Sequence, residues 1–163
     1  MQKPKIKCIY LDMDGVIADF EKRYKELFRM EPKQAEKKQE FNHYFNNFIN
    51  SGNFATLDKM PDADIGLEFL RKCSVPTQIL SSTANEEKYD AISKQKMIWL
   101  QTHGITFNPI FVPGKSLKYK YADPNSIIID DTKSVIDDWL DAGGIAIWHK
   151  DWTTTLAILK MYV

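Results

Sequence analysis

The chain has 163 residues, of which 44% are hydrophobic, and its 22 basic residues balance its 22 acidic ones. This length suggests one domain that can bury a sizeable core without disulfide bonds or a structural zinc site. The charge balance gives no support for a nucleic-acid-binding protein or an acidic tail, but it leaves room for a local phosphate site.

Five short apolar runs recur along the chain and are predicted to be strands. Most residues in these runs are apolar, with no alternation between apolar and polar residues, as is usual for strands covered on both faces. Between them, apolar residues at helical spacing predict helices. The predicted strands are residues 6–11, 77–80, 110–112, 127–129 and 145–148, and the predicted helices are residues 62–72, 86–103 and 133–141. This alternation predicts an α/β protein with a three-layer, Rossmann-like core around a parallel sheet.

One segment, residues 20–60, interrupts the alternation because it has helical patterns but no strand pattern. Residues 31–40 are rich in Lys and Glu and are expected to form a solvated surface. The residues that follow recur at spacings of three and four, as on one packed helix face: Phe41, Tyr44, Phe45, Phe48 and Ile49. We expect residues 1–19 and 61–163 to form the α/β core and residues 20–60 to form a small helical cap inserted after the first strand.

Polar side chains follow four of the predicted strands, at the point where each strand ends. They are Asp12 and Asp14 after the first strand, Ser81, Ser82 and Thr83 after the second, Lys115 and Lys118 after the third, and Asp130 and Asp131 after the fourth. Ligands of open parallel sheets bind outside the carboxyl ends of the strands. The sequence therefore predicts one site at this edge of the sheet.

These residue types suit phosphate-ester chemistry. Asp12, Asp130 and a backbone carbonyl near Asp14 form an oxygen cluster of the kind that binds Mg²⁺, and a divalent cation removes the repulsion between a carboxylate and a phosphate dianion. Asp12 is then the candidate nucleophile that forms an aspartyl-phosphate. Asp14 is the candidate acid and base for the leaving oxygen and the water. Ser81 and a lysine are candidates for holding the phosphate oxygens.

Simpler roles are open for several of these residues. Asp12 and Asp14 alone also fit a turn, because Asp and Gly are favoured there; the second acidic pair, at another strand end, favours a shared site. Asp19 and Asp131 also fit the cap of a following helix. The three histidines share no spacing, so we assign them no catalytic role.

Four stretches of the sequence resemble the four motifs of the haloacid dehalogenase superfamily of phosphotransferases, in order and at the right strand ends. They are DMDGVIADF, ILSST, a lysine within PGKSLKYKYA, and IIIDD. Within that superfamily the chain is most similar to the 5'(3')-deoxyribonucleotidase family and its phage and bacterial relatives. The further similar stretches are ADF after the first motif, NSGNFATLDKMPDA, and DDTKSVIDDWLDAGGIAIWH. The resemblance covers nearly the whole chain, and its DxDG and DD motifs are the specific ones.

The resemblance implies a Mg²⁺-dependent phosphomonoesterase that releases phosphate from nucleoside monophosphates, with deoxyribonucleotides as the expected substrates. It implies that Asp12 is the nucleophile and that Asp14 is the acid and base, with its carbonyl on the metal. It also implies that Asp130 is a metal ligand and that Asp131 supports the ligands from behind. A phosphatase of another small phosphorylated metabolite is the alternative function, followed by a non-catalytic binding protein of the same fold.

The resemblance also implies residues that bind the substrate. Ser81, with Ser82 beside it, corresponds to the phosphate-binding hydroxyl. Lys118 fits a KxxYA pattern and is preferred over Lys115, which lies closer to the strand end, as the phosphate-binding lysine. Phe20 and Phe54 correspond to the aromatic residues that enclose the base of the nucleotide.

A cytoplasmic location is expected from the cysteines and the N-terminal residues. Cys8 and Cys73 lack CxxC spacing and are interpreted as reduced thiols, and the first residues include no apolar stretch of a signal peptide. No run approaches the roughly 20 apolar residues of a membrane span. The resemblance implies a small phosphate ester as the partner, with no nucleic-acid polymer, and the sequence suggests no membrane partner; a homodimer is the commonest default for an oligomer.

Overall fold

Short runs of β-branched and other apolar residues form a five-stranded parallel sheet in the computed structural model, which describes residues 2–163. The strands are β1 (Cys8–Leu11), β2 (Thr77–Ser82), β3 (Asn108–Val112), β4 (Ser126–Asp130) and β5 (Ile145–Trp148). Their order in the sheet is β3-β2-β1-β4-β5, and every neighbouring pair is parallel. The predicted α/β fold with a parallel sheet is confirmed. Met1, which the predicted core segment 1–19 includes, lies outside the described residues.

Helices cover both faces of the sheet. They are α4 (Ala63–Lys72), α5 (Tyr89–Thr102), α6 (Lys133–Asp141) and α7 (Trp152–Leu159), and a 3-10 segment spans Lys115–Tyr121. The three predicted helices are confirmed, although α5 begins three residues later than expected, since Asn85 Oδ1 accepts a hydrogen bond from Lys88 N in a preceding turn. No helix within residues 2–163 has both the length and the apolar character needed to cross a bilayer.

The core lies in two layers, one on each face of the sheet. On one face, Val135 and Trp139 of α6 pack with Ile128 of β4. The other face packs against α4, α5 and α7 and includes Ile127 and Ile129 of the same strand. All three isoleucines are fully buried, because consecutive side chains of a strand point to opposite faces and both faces are covered.

The segment 20–60, which lies wholly within the described residues, contains helices and no strand. It comprises α1 (Phe20–Phe28), α2 (Pro32–Lys37), α3 (Phe41–Asn50) and a 3-10 turn at Asn53–Thr56. The aromatic face predicted for residues 41–49 packs as expected, with Phe45, Phe48 and Ile49 buried. Most of residues 31–40 are exposed, with Ala35 the buried exception. The division of the chain into core and cap at residues 20 and 60 stays a prediction.

Candidate active site

The centre of the sheet contains a point where the direction of strand order reverses. From β1, the chain adds β2 and β3 on one side and then returns to place β4 and β5 on the other. Ligand crevices of open α/β sheets form at such a point, outside the carboxyl ends of the strands. Asp12 directly follows β1 and Asp130 ends β4, and Asp12 N donates to Ile129 O at 3.0 Å. The sheet ladder therefore brings two of the predicted site residues to this crevice.

Three carboxylates meet there. Asp12, Asp130 and Asp131 each offer one oxygen, and these oxygens lie within 4.8 Å of one another. Asp12 and Asp130 are 6% and 0% exposed, whereas Asp131 is exposed. Buried carboxylates need a compensating charge, which Lys118 supplies: its Nζ lies 2.9 Å from Asp12 Oδ1 and 2.7 Å from Asp130 Oδ2. Lys118 itself is 2% exposed.

The cluster carries more negative charge than Lys118 compensates. Burial favours the neutral amine of Lys118, but Asp12 and Asp130 outweigh that effect and raise its pKa above the ordinary value, so the amine stays charged. Loss of hydration, followed by repulsion from Asp12, raises the pKa of Asp130. Although Asp131 as a whole residue is exposed, its carboxylate lies within the cluster, so loss of hydration, followed by repulsion from Asp12, raises its pKa as well. Acids whose ionised forms repel one another favour a bound cation.

The donor set fits Mg²⁺, because this ion prefers oxygen ligands, including carboxylates. The backbone also makes room for the third carboxylate. A Cβ added to Gly15 would lie 2.0 Å from Asp131 Oδ2, and Gly15 has a φ of +78°. Asp131, which the resemblance places behind the metal ligands, thus contributes an oxygen to the same cluster as Asp12 and Asp130.

Replacing Gly15 with alanine is expected to lower the rate of phosphate release at least about tenfold, because the Cβ displaces the Asp131 carboxylate. The control is Gly143→Ala, since Gly143 has a φ of +90° and a Cβ added there would meet no atom within 4 Å. Both variants should lose about 1–2 kcal/mol of unfolding free energy through the left-handed backbone. Denaturant unfolding and phosphate release measure the two effects, and equal activity in the two variants would contradict the account.

Asp14 is held by a lysine that the sequence did not suggest. Lys96 Nζ donates to Asp14 Oδ2 at 2.8 Å, to Ser81 Oγ at 2.7 Å and to the Ser82 carbonyl at 2.9 Å. Lys96 is 1% exposed. Asp14 Oδ1 is buried and has no hydrogen-bond partner among the described residues. One oxygen of Asp14 is therefore fixed by an ion pair, and the other is left to exchange a proton with a ligand.

Sequence reasoning misses Lys96 because it lies inside the predicted helix 86–103, where lysines usually face solvent. A signal is nonetheless present in the spacing. Ile92 lies four residues before Lys96, and Trp99 and Leu100 lie three and four residues after it. All three apolar residues are buried. A lysine on the buried stripe of a helix must lead its amine to a buried polar partner.

The two serines at the end of β2 point to opposite sides, as neighbouring strand residues do. Ser81 is fully buried and its hydroxyl is bonded to Lys96. Ser82 lines the crevice, and its Oγ accepts a hydrogen bond from Ala84 N at 3.1 Å. Ser82 therefore faces the crevice directly, and Ser81 lies behind it as a support for Lys96.

The crevice holds a cavity of about 230 Å³ lined by Asp12, Asp14, Ser82, Lys115 and Lys118 among others. The two candidate lysines lie at different depths in it. Lys118 is buried against the carboxylates, whereas Lys115 is exposed at the rim. A ligand that enters this cavity therefore passes Lys115 at the rim. At the base of the cavity it reaches Asp12, the candidate nucleophile, and Lys118.

A second cavity of about 330 Å³ adjoins the first and shares Asp14, Phe20, Ser82 and Lys115 with it. Its lining also contains Phe54, and the rings of Phe20 and Phe54 are parallel, with 5.6 Å between their centroids. The two aromatic residues predicted to enclose a base thus lie together beside the phosphate-sized cavity.

Asp19 and one of the three histidines make structural contacts. Asp19 is the N-cap residue of α1, and its side chain accepts a hydrogen bond from Lys22 N at 3.3 Å. This agrees with the helix-capping alternative. His149 is buried, with Nδ1 2.7 Å from Thr155 Oγ1. Both cysteines are free thiols, as expected.

Neither a protein-family model nor a curated protein matches the sequence. Solved structures with a similar fold do match. A hydrolase from Streptococcus pneumoniae TIGR4 has a TM-score of 0.59 at 13% identity, over 96% of this chain and 99% of that chain. A hydrolase from Pseudomonas syringae has a TM-score of 0.50 at 14% identity, over 96% of this chain and 99% of that chain.

A chain of the Pnkp1/Rnl/Hen1 complex is also similar, with a TM-score of 0.56 at 12% identity. The match covers 90% of this chain and 47% of that chain, so this chain spans about half the length of that relative. At identities this low, the similarity of all three structures establishes the α/β fold.

Proposed function

We propose that the chain is a Mg²⁺-dependent phosphomonoesterase of the haloacid dehalogenase superfamily that hydrolyses nucleoside monophosphates, with deoxyribonucleotides preferred. The observation that carries the proposal is the meeting of Asp12, Asp130 and Asp131 around Lys118, with the Asp14 carboxyl beside them in the same cavity. The motifs of the sequence and the likeness of the fold to two hydrolases support it.

Binding of the substrate phosphate is the first task of the residues in the cavity. Asp12, Asp130 and Asp131, with the Asp14 carbonyl, would hold Mg²⁺, which supplies the positive charge that lets a carboxylate approach a phosphate dianion. Ser82 and Lys115 line the same cavity and would contact the phosphate oxygens. Lys118 adds a fixed positive charge beside the nucleophile.

Transfer of the phosphoryl group to Asp12 is the second task. A carboxylate oxygen of Asp12 attacks phosphorus, and the bond between phosphorus and the ester oxygen breaks. Asp14 donates a proton from Oδ1 to the departing oxygen, because Oδ2 is held by Lys96 while Oδ1 has no partner in the described chain. The products of this step are an aspartyl-phosphate on Asp12 and a free alcohol.

Hydrolysis of the aspartyl-phosphate completes the cycle. Asp14, now ionised, removes a proton from a water molecule that attacks phosphorus, and the bond between phosphorus and the Asp12 oxygen breaks. Inorganic phosphate leaves and the Asp12 carboxylate is restored. Lys96 keeps Asp14 Oδ2 in a fixed position in this half of the cycle, through the hydrogen bond of 2.8 Å.

The nucleoside part of the substrate is proposed to occupy the second cavity. Phe20 and Phe54 offer flat apolar surfaces there, and stacking on aromatic rings is a general way to bind bases. The second cavity adjoins the first and shares Asp14, Ser82 and Lys115 with it. We propose accordingly that the protein is cytoplasmic and that it acts on small nucleotides rather than on a nucleic-acid polymer.

The test of this function is phosphate release from a panel of nucleoside monophosphates, sugar phosphates and 4-nitrophenyl phosphate, with Mg²⁺ or with a chelator. We expect release from nucleotides with Mg²⁺ and a loss of about 100-fold or more on chelation, since charge stabilisation by a metal contributes several kcal/mol. Activity that survives chelation would overturn the metal part of the proposal. Preference for sugar phosphates would overturn the nucleotide part and leave the phosphatase chemistry standing.

A further inference from the structure

The second cavity has an unusual lining for an apolar site. Six of its ten lining residues are aromatic or aliphatic: Phe20, Phe41, Phe45, Phe54, Ala84 and Ile92. Asp14, Ser82 and Lys115 belong to the side shared with the phosphate-sized cavity. The remaining charged residue of the lining is Glu36, which belongs to α2 in the helical segment 20–60.

Glu36 is not explained by the packing of the chain. Within the described residues 2–163 its carboxylate makes no ion pair and no hydrogen bond, which is also true of Glu21 and Glu40 in the same segment, but of these three only Glu36 lines the second cavity. The adjacent Ala35 supplies the buried contact of α2 instead. A carboxylate that borders an aromatic cavity and has all its acceptor positions free is suited to a ligand that donates hydrogen bonds.

We infer that Glu36 selects the base of the substrate, favouring bases with adjacent N–H donors, above all guanine. This inference rests on the proposed function, because it assumes that a nucleotide places its base in the aromatic cavity. A carboxylate only accepts hydrogen bonds when ionised. Guanine presents a ring N–H next to an amino group, so it can donate to both oxygens at once, and such charge-assisted pairs are the strong ones.

The same chemistry disfavours thymine and uracil. Their single ring N–H lies between two carbonyl oxygens, and these oxygens repel a carboxylate placed against that edge. Cytosine and adenine present one amino group beside a ring acceptor and are intermediate. Recognition of a base through the edge that normally pairs, combined with stacking on aromatic rings, is a general mode of binding for unpaired bases.

The expected size of the preference follows from hydrogen bonding to a charged group. We expect kcat/KM for dGMP to exceed that for dTMP by about 10- to 100-fold, which corresponds to the usual contribution of hydrogen bonds to ionised groups. The discrimination is at the lower end of what enclosed polar sites achieve, because Glu36 is exposed to solvent.

The test measures kcat/KM for dGMP, dCMP, dAMP, dTMP and dUMP with the full chain and Mg²⁺. In Glu36→Gln, the amide presents a donor beside an acceptor, which pairs with a ring N–H and the adjacent carbonyl oxygen in thymine and in guanine alike, so the advantage of guanine is lost. The dGMP to dTMP ratio should therefore fall at least about tenfold. The matched control is Glu40→Gln, because Glu40 is a nearby exposed glutamate outside the lining of the cavity. It should keep the ratio of the unmodified chain.

The readout is a ratio between two substrates, so a general loss of stability or metal affinity does not move it. If nucleotides are hydrolysed but the ratio is the same in the unmodified chain, Glu36→Gln and Glu40→Gln, the role of Glu36 is wrong and the proposed function stands. If 4-nitrophenyl phosphate is cleaved and no nucleotide is, both the nucleotide proposal and the role of Glu36 are wrong.

Discussion

Asp12→Asn is expected to lower the rate of phosphate release by about 10⁴-fold or more, because an amide oxygen does not replace a carboxylate as the attacking group. The substitution keeps the shape of the side chain. It also relieves part of the repulsion among Asp12, Asp130 and Asp131, while Lys118 keeps its ion pair with Asp130 at 2.7 Å. The variant should therefore fold, with an unfolding free energy equal to or above that of the unmodified chain.

The measurement combines steady-state phosphate release with denaturant unfolding. Asp90→Asn is the matched control, since Asp90 is exposed in the first turn of α5 and lines neither cavity. It should keep full activity. An Asp12→Asn variant that is folded and releases phosphate within about tenfold of the unmodified chain would show that another group attacks phosphorus.

Asp14→Asn is expected to have the second-largest effect, a loss of about 10²- to 10⁴-fold in turnover of nucleotides. Asparagine can still accept the hydrogen bond from Lys96, but it has no proton to give to the departing oxygen and cannot take one from water. Both halves of the cycle therefore slow. The effect on the first half depends on the leaving group, because 4-nitrophenolate departs without protonation and a nucleoside alkoxide does not.

Rapid-mixing kinetics separate the two halves. With 4-nitrophenyl phosphate, Asp14→Asn should release a burst of 4-nitrophenolate equal to the enzyme concentration, followed by slow turnover. With a nucleotide, the burst should be slower by about 100-fold or more. Glu21→Gln is the control, because Glu21 is another carboxylate in the lining of the same cavity and has no part in the proposed mechanism. Equal slowing of both substrates in the first half would contradict the role of Asp14 as the acid.

Much of the fold follows from apolar patterning. The run of isoleucines at 127–129 predicts a strand buried on both faces, and all three side chains are fully buried in β4. The helix α7 was not predicted. Its first turn contains Thr153, Thr154 and Thr155, and β-branched residues are poor indicators of a helix. Tertiary packing stabilises α7 despite this low helix propensity, since Trp152 is buried and its Nε1 donates to Val16 O at 3.0 Å.

The candidate site is only partly visible in the sequence. Asp12 and Asp130 could be placed together because each follows an apolar run and parallel strands end at one edge. The sequence favours Ser81 as the phosphate-binding hydroxyl, whereas Ser82 lines the cavity and Ser81 does not; a strand alternates faces, so a shift of one residue exchanges the two. The proposed role of Glu36 could not be inferred from the sequence, because Glu36 is one of several charged residues in the run 31–40, and such runs usually face solvent.

The central claim is that phosphate is transferred to Asp12 before it reaches water. The most direct measurement mixes Asp14→Asn with Mg²⁺ and 4-nitrophenyl phosphate, quenches the reaction in acid within the burst, and maps the phosphorylated peptide by mass spectrometry. The account predicts one phosphoryl group on Asp12, in an amount close to that of the enzyme. A phosphorylated residue other than Asp12, or product formed in the burst with no phosphorylated peptide, would contradict it.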